Sequence, residues 1–396
     1  MIRHALEIVG ALGTLSSLAY SALCLWSAVK LLRQRKSAGE EPVRLRSGQV
    51  RTTQPELPVS ILKPLKGTDP EMYESLRSHC VQEYEEYEII FGVSESADPA
   101  AKIVERLKSE FPRRAIRLLV CEKNLGANTK VSNLAQMLPR SKYEYLLVND
   151  SDIRVEPDYL RRVFAAFADT TVGMVTCLYR GVASPTLGSH MEMMGISTDF
   201  ATGVLAAGQL EGGLHFALGS TLAFRRSGLE AIGGFEAFVD YLADDYEMGT
   251  QIAARGLEVR LSDVVVETFL PPYSLREFVE HQLRWARTIR DSRRWGYVGL
   301  VFTFLLPWAL LTLVSSKGAP WAWGLFALAC AVRLLTALVI GGGVLHDRQV
   351  KRWIWLIPLR DVVAVLVWLG SFAGSSVVWR GDYFYLKDGK LARINK

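Results

Sequence analysis

The sequence predicts an α/β domain with a mainly parallel sheet, held between membrane helices at both ends of the chain. Two observations carry the prediction. Apolar residues crowd into the first thirty positions and again beyond position 297, and the stretch between them reads as a soluble domain. Within that stretch, short apolar runs alternate with helical segments, the pattern of parallel strands joined by crossover helices. The hydrophobic fraction of 49% over 396 residues is ordinary for a globular protein. The uneven distribution, not the total, separates membrane from soluble parts.

Residues 6–29 carry no charge after Glu7, a run long enough to cross a hydrocarbon core of roughly 30 Å. Basic residues Lys30 to Lys36 follow the run, the reverse of a secretory signal peptide. This predicts an anchor over residues 1–30 with Met1 outside and the basic flank in the cytosol. Residues 31–57 read as a polar linker. The globular domain, 58–275, opens with the strand Val59–Leu62, ended by Lys63-Pro64. A helix over Met72–Gln82, the strand Glu88–Val93, a helix over Ala100–Phe111 and the strand Ile116–Val120 follow. A helix over Lys130–Met137 and the strand Tyr145–Val148 complete the alternation. An amphipathic helix over 276–297 is predicted to lie on the bilayer.

Region 298–378 holds three apolar stretches, Val298–Val314, Trp321–Leu345 and Ile354–Val378. The loop His346–Trp353 and the tail 379–396 are both basic, which favours the cytosolic side for each. Three full crossings would leave the tail outside. The third stretch is therefore predicted to enter and return, as backbone at membrane depth can when it is buried in protein or lines a cavity. Arg333 in the second stretch and Arg360-Asp361 in the third are costly in lipid. They are either an ion pair locking two helices or part of a functional polar path.

The net charge of +5 is modest and no basic run is interleaved with aromatics, which excludes a nucleic-acid partner. Basic clusters sit beside the apolar stretches instead, at Lys30–Lys36, Arg284–Arg294 and Arg348–Arg352, and predict contact with anionic membrane lipid. The five cysteines are widely spaced, with no metal-ligand spacing, and fit buried residues in a reducing compartment.

The strongest chemical motif is Leu146 to Asp152, an apolar strand running into Asp150-Ser151-Asp152. Alternate residues of an extended stretch point the same way, so both carboxylates can face one Mg²⁺ or Mn²⁺. Such an ion neutralises a diphosphate leaving group. The bland alternative is an Asp-rich turn. Next come Asp244-Asp245, just after the loop Gly233-Gly234-Phe235 and at the start of a helical pattern. They are a candidate general base and its neighbour, or acids complementing a helix dipole. His281 and Arg284 share one face of the amphipathic helix beside Trp285, where Arg could steady a diphosphate and Trp could stack. Lys130, at the end of the turn Asn124–Thr129, is placed for a phosphate. Asp98 could hold a base or ribose.

Asp98, Lys130, Asp150, Asp245 and Arg284-Trp285 together resemble the D, D, D, (Q/R)xxRW signature of family 2-like and family 21 glycosyltransferases, the ceramide glucosyltransferases in particular. The resemblance runs from about Val59 to the end, Trp379-Arg380-Gly381 included. It implies a GT-A-type nucleotide-sugar domain and a membrane enzyme that moves a hexose from a UDP-sugar to a lipid hydroxyl by one inverting displacement. In that scheme Asp98 binds uridine, Asp150 and Asp152 hold the metal and Asp245 is the base. Lys130, His281, Arg284 and Trp285 line the donor. The complete Asp150-x-Asp152 and the stretch His281–Thr288 look more like the bacterial hopanoid-associated group. A hopanoid-type N-acetylglucosaminyl transferase is therefore the first alternative to UDP-glucose and ceramide. A processive polysaccharide synthase shares the acids but generally needs more membrane helices. A non-catalytic receptor would not need the full set of acids.

Overall fold

The computed structural model describes residues 1–40, 56–379 and 382–393. The chain divides into two compact units. A sheet unit comprises Gly39–Val182, Glu211–Pro271 and Gly389–Lys396. A helical unit comprises Met1–Ala38, Ala183–Leu210 and Pro272–Asp388.

The sheet unit is built on eight strands: β1 Val59–Pro64, β2 Tyr87–Val93, β3 Ala115–Val120, β4 Tyr145–Val148, β5 Ile153–Arg154, β6 Val172–Val182, β7 Leu222–Arg225 and β8 Glu258–Phe269. They lie in the order β3-β2-β1-β4-β7-β6-β8-β5. β1 pairs in parallel with β2 and with β4, and β2 with β3, as the alternating pattern predicted. β7 enters antiparallel between β4 and β6. Every residue of β1 and β2 is buried, as expected for strands covered on both faces. One core runs from Val59 and Ile89 through Leu147 and Tyr159 to Val266. β1 does not stop at Leu62. It continues through Lys63 and Pro64, paired with Phe91 and Gly92, and Lys63 is wholly buried within it.

The predicted span 58–275 is interrupted. Residues Ala183–Leu210 belong to the helical unit. They form the helix Leu187–Gly195, a π-helical turn Ile196–Phe200 and the helix Ala201–Leu210. Gly188 lets this excursion press against the chain at Tyr273, because a Cβ there would stand 2.5 Å from the Tyr273 carbonyl oxygen. No apolar run long enough to cross a membrane marks the excursion in the sequence, so hydropathy could not assign it.

Among the described residues, three helices of the helical unit are long and apolar enough to cross a membrane: Ile2–Lys36, Pro320–Val344 and Arg348–Ser371. A fourth candidate, Arg294–Thr303 with Leu305–Ser315, is bent by 51°. Pro307 sits in the first turn after the bend, where its missing N–H costs no helical bond. The first helix runs on to Glu40, past the predicted start of the linker. Residues 41–55 of that linker, and Arg380, Gly381 and 394–396 of the tail, lie outside the described residues.

The amphipathic helix forms over Leu275–Ser292, opened by a capping box between Ser274 and Glu277. Two of its arginines meet backbone carbonyls. Arg290 donates to the carbonyls of Ser371 and Gly374, the latter at 2.9 Å, and Arg287 donates to Ser376 O at 2.6 Å. They satisfy carbonyls at and just beyond the end of the helix Ile357–Ser371, where a helix dipole favours cations. Strands β9 Ser376–Trp379 and β10 Asp382–Lys387 then pair antiparallel. The last strand, β11 Lys390–Arg393, belongs to the sheet unit. There Leu391 N donates to Asp240 O at 2.7 Å.

Candidate active site

The chain runs β1 to β3 in one direction across the sheet and returns to place β4 on the other side of β1. The crevice beyond the carboxyl ends of β1 and β4 is thus a topological switch point, where open α/β sheets bind ligands. The predicted acids of the sheet unit gather around it.

Asp150 and Asp152 stand in a turn between β4 and β5, not on an extended stretch. The turn-forming propensity of Asp-Ser-Asp prevailed over continuation of the strand. The two carboxylates are still electrostatic neighbours. Burial first, then the Asp150 charge, lifts the Asp152 carboxyl to about 6. Asp152 Oδ2 accepts from Thr268 Oγ1 at 2.6 Å. Asp150 Oδ1 is 3.0 Å from Lys130 Nζ.

Beneath the turn lies a group of residues that motif reasoning missed. The buried Lys63 donates to the Asp150 carbonyl at 2.8 Å. Burial brings its ammonium down to about 7, with Asp152 and Asp150 opposing. Asn149 links His79, at 3.1 Å, to Tyr159, at 2.9 Å, and to the Ser220 carbonyl, at 2.8 Å. The one sequence signal was a lysine inside an apolar strand, which read as the strand's end.

Lys130 lies in the first turn of the helix Thr129–Met137, capped by Asn128, whose side chain accepts from Val131 N at 3.2 Å. The Asn128 amide nitrogen donates to Tyr241 O at 2.7 Å, joining the two loops that carry Lys130 and Asp244. Gly126 makes the join possible: a Cβ there would stand 2.6 Å from Val239 Cγ2. Lys130 Nζ is 3.2 Å from Asp244 Oδ2. Burial alone would lower its ammonium, but Asp150, Asp244 and Asp245 together hold it above its ordinary value.

Asp244 and Asp245 open the helix Asp244–Ala254 and differ in setting. Asp244 is buried and ion-paired to Lys130. Asp245 is half-buried, and burial followed by the Asp244 charge raises its carboxyl to about 6. Its Oδ2 accepts from Gly219 N at 2.6 Å. A Cβ on Gly219 would stand 3.1 Å from both Asp245 Oδ2 and Asp150 Oδ2, so this glycine keeps open the space between the two acids.

Asp98 caps the helix Pro99–Glu110 and accepts from Gly67 N at 3.0 Å, tying the loop after β2 to the loop after β1. His281, Arg284 and Trp285 belong to the helical unit. His281 Nδ1 is 3.5 Å from Glu192 Oε2, and its ring lies 5.3 Å from those of Tyr273 and Trp285.

Among the described residues no group of three or more His, Cys, Asp or Glu side chains gathers as a metal cage. That suits a hard divalent cation, which keeps waters and phosphate oxygens and needs only one or two carboxylates. Burial is the first cause of the raised Asp152 carboxyl, and the Asp150 charge, the second, is what such a cation would relieve. The donor set therefore fits.

The model of glycosyl transferase family 21 matches residues 9–392. The chain belongs to that family. Its similarity to ceramide glucosyltransferase 1 of Caenorhabditis elegans is 23% identity over 360 residues, covering 86% of this chain and 74% of that one. To ceramide glucosyltransferase 3 of the same organism it is 26% identity over 230 residues, 58% of this chain. The aligned region is 50% of that relative's length. A mannosyltransferase from Pyrobaculum calidifontis, solved with GDP-Man and Mn²⁺, has a similar fold. Its TM-score is 0.51 at 20% identity, with 92% of this family 21 chain and 99% of that chain covered. The GT-A-type fold expected from the sequence is the one observed.

Proposed function

We propose that the protein transfers one hexose from a UDP-sugar to the hydroxyl of a membrane lipid, with UDP-glucose and ceramide as the first pair to test. The observation that carries this is the Asp150–Lys130–Asp244–Asp245 cluster at the switch point of a family 21 chain. Relatives named for ceramide glucosylation, and a structural neighbour holding a nucleotide sugar and Mn²⁺, support it.

Asp150 and Asp152 would hold Mg²⁺ or Mn²⁺, which when bound neutralises the donor diphosphate. Lys130 adds a fixed positive charge at the same place. Asp98 is proposed to meet the uridine, and Arg284 and Trp285 the diphosphate and acceptor region, with His281 beside them. Asp245, near 6, is ionised at neutral pH yet basic enough to take the acceptor hydroxyl proton. The hydroxyl oxygen bonds to the anomeric carbon as the bond to UDP breaks, and the configuration inverts. Asp244 keeps Lys130 in place and neighbours the base without replacing it.

We further propose that the sheet unit is cytosolic and that Ile357–Ser371 does not cross. Arg35, after the first apolar run, donates to Val344 O at 2.7 Å. Thr14 and Ser17, earlier in that run, meet Thr312 and Phe302. The helix Pro320–Val344 therefore ends near the basic end of the first helix, which suits a cytosolic loop at Arg348–Arg352. From there Ile357–Ser371 follows the amphipathic helix side by side. Arg360 meets Gln282, and Arg290 meets Ser371. Length and composition alone would count this segment as a crossing.

The test is the purified full chain in detergent with UDP-glucose, Mn²⁺ and short-chain ceramide. UDP release with a product one hexose heavier than the acceptor is expected. No release, or a growing polymer, would overturn the proposal.

A further inference from the structure

The helical unit buries a network of charged side chains that the proposed catalysis does not use. Arg333, within Pro320–Ala337, donates to Asp361 through Nε at 3.0 Å and through Nη2 at 2.7 Å. It also reaches Asp199 Oδ1 at 2.6 Å and the Thr198 carbonyl at 3.1 Å. That carbonyl lies in the π-helical turn and also accepts from Thr202 Oγ1 at 2.9 Å, and π-bulges recur at functional sites. This pair is the helix lock that Arg333 and Asp361 allowed from sequence.

Arg360 is different. Its side chain is 8% exposed, yet only Nη2 is bonded, to Gln282 Oε1 at 2.8 Å. Its Nε and Nη1 have no hydrogen-bond partner among the described residues. Asp199 Oδ2 also lacks one, with Arg360 Nη2 standing off at 3.6 Å. A buried donor without a partner costs on the order of 1–3 kcal/mol, more when charged. Natural proteins keep such groups where a ligand completes them. The Asp199 side chain is one-third exposed, while its unpaired Oδ2 is buried with the unpaired Arg360 nitrogens, so a head group would reach them past the exposed edge of Asp199. Phe200, the residue after Asp199, meets Trp285 with ring centres 5.9 Å apart.

We infer that Arg360 and Asp199 form a head-group site for the acceptor lipid, and that this lipid is a neutral one bearing hydroxyl and amide groups. The assignment rests on the acceptor being a lipid, as proposed above. The unpaired atoms are guanidinium N–H donors and a carboxylate acceptor side by side. They complement a group that both accepts and donates, such as a hydroxyl or a secondary amide. Charge argues against an anionic head group. Asp199, Asp361 and Glu192 already face Arg333 and Arg360, with His281 beside Glu192. A phosphate would add negative charge to a network with no spare cation. The site lies where the amphipathic helix and Ile357–Ser371 run together, at the depth of a lipid head group in the proposed topology. The aromatic rings flank the start of the acyl chains.

The test measures lipid binding apart from sugar transfer. Purified full-length protein and the variants Asp199→Asn and Arg360→Lys are titrated in detergent with N-hexanoyl-sphingosine. Dioctanoyl phosphatidylserine is the anionic comparison, and UDP affinity checks each fold. A loss of at least tenfold in N-hexanoyl-sphingosine affinity in both variants, with UDP affinity within twofold of the parent, is expected. An unchanged lipid Kd in both variants overturns the site. Tighter binding of phosphatidylserine, lost in the same variants, overturns the neutral-lipid assignment. Lipid binding that depends on these residues without any UDP release would leave the site standing and sink the transferase proposal. Transfer with an unchanged acceptor KM in both variants would do the reverse.

Discussion

A cluster of buried charge in the sheet unit and one in the helical unit are balanced differently. In the sheet unit, Asp150, Asp244 and Asp245 surround the ammonium of Lys130, with Asp152 crowded alongside and Lys63 buried beneath. In the helical unit, Arg333 and Arg360 stand against Asp199 and Asp361, and Arg333 meets its partners in bidentate geometry. An excess of carboxylates is destabilising in the empty protein and useful for cation and proton chemistry. A matched network holds helices together where lipid offers no water. The same types of side chain are crowded in one unit and nearly matched in charge in the other.

That contrast predicts opposite responses to substitution. The largest effect on turnover is expected for Asp150→Asn, a fall on the order of 1,000-fold. Thermal stability should hold, because Asp152 loses its like-charged neighbour. Near-normal rates in the variant, or wild-type turnover in excess EDTA, would show that the pair holds no metal.

Asp245→Asn should lower kcat by about 100- to 10,000-fold with donor affinity retained. Burial holds this carboxyl near 6, so ionising it between the unfolded value of about 4 and 6 costs folding free energy. That contribution is favourable below about pH 4 and lost by neutrality. The amide should therefore melt no lower than the parent at pH 7. If Asp244→Ala is the inactive variant and Asp245→Asn turns over, the base has been assigned to the wrong acid.

In the helical unit the order reverses. Arg333→Leu leaves Asp361 buried without its cation and should destabilise by roughly 3–5 kcal/mol, read as a lower melting temperature. Arg333→Leu combined with Asp361→Leu should recover most of it. Equal melting temperatures for the single and double variants would mean that the pair is not the lock.

Activity should fall about tenfold per pH unit below about 6 as Asp245 takes up its proton. A flat acid limb down to pH 5 would separate the base from this residue. The smallest effect concerns topology. Lys387→Cys, on an exposed strand position, should react with an impermeant maleimide only in inside-out vesicles. Labelling from outside intact cells would make Ile357–Ser371 a crossing.

The sequence by itself determined strands β1 to β4, the acidic motifs and the long apolar helices. Each is written in contiguous residues: short apolar runs alternating with helical segments, an apolar strand running into Asp150-Ser151-Asp152, apolar runs with basic flanks. The tertiary structure decided which acids differ and what surrounds them. Asp244 and Asp245 are adjacent and chemically alike, and only packing buries one against Lys130 and leaves the other beside Gly219. Lys63 read as the end of a strand because burial of a lysine depends on a carbonyl contributed by Asp150, 87 residues away. The excursion Ala183–Leu210 and the Asp199–Arg333–Arg360 network had no local signature. Asp199 and Arg333 lie 134 positions apart, and their pairing exists only once the helices carrying them have met.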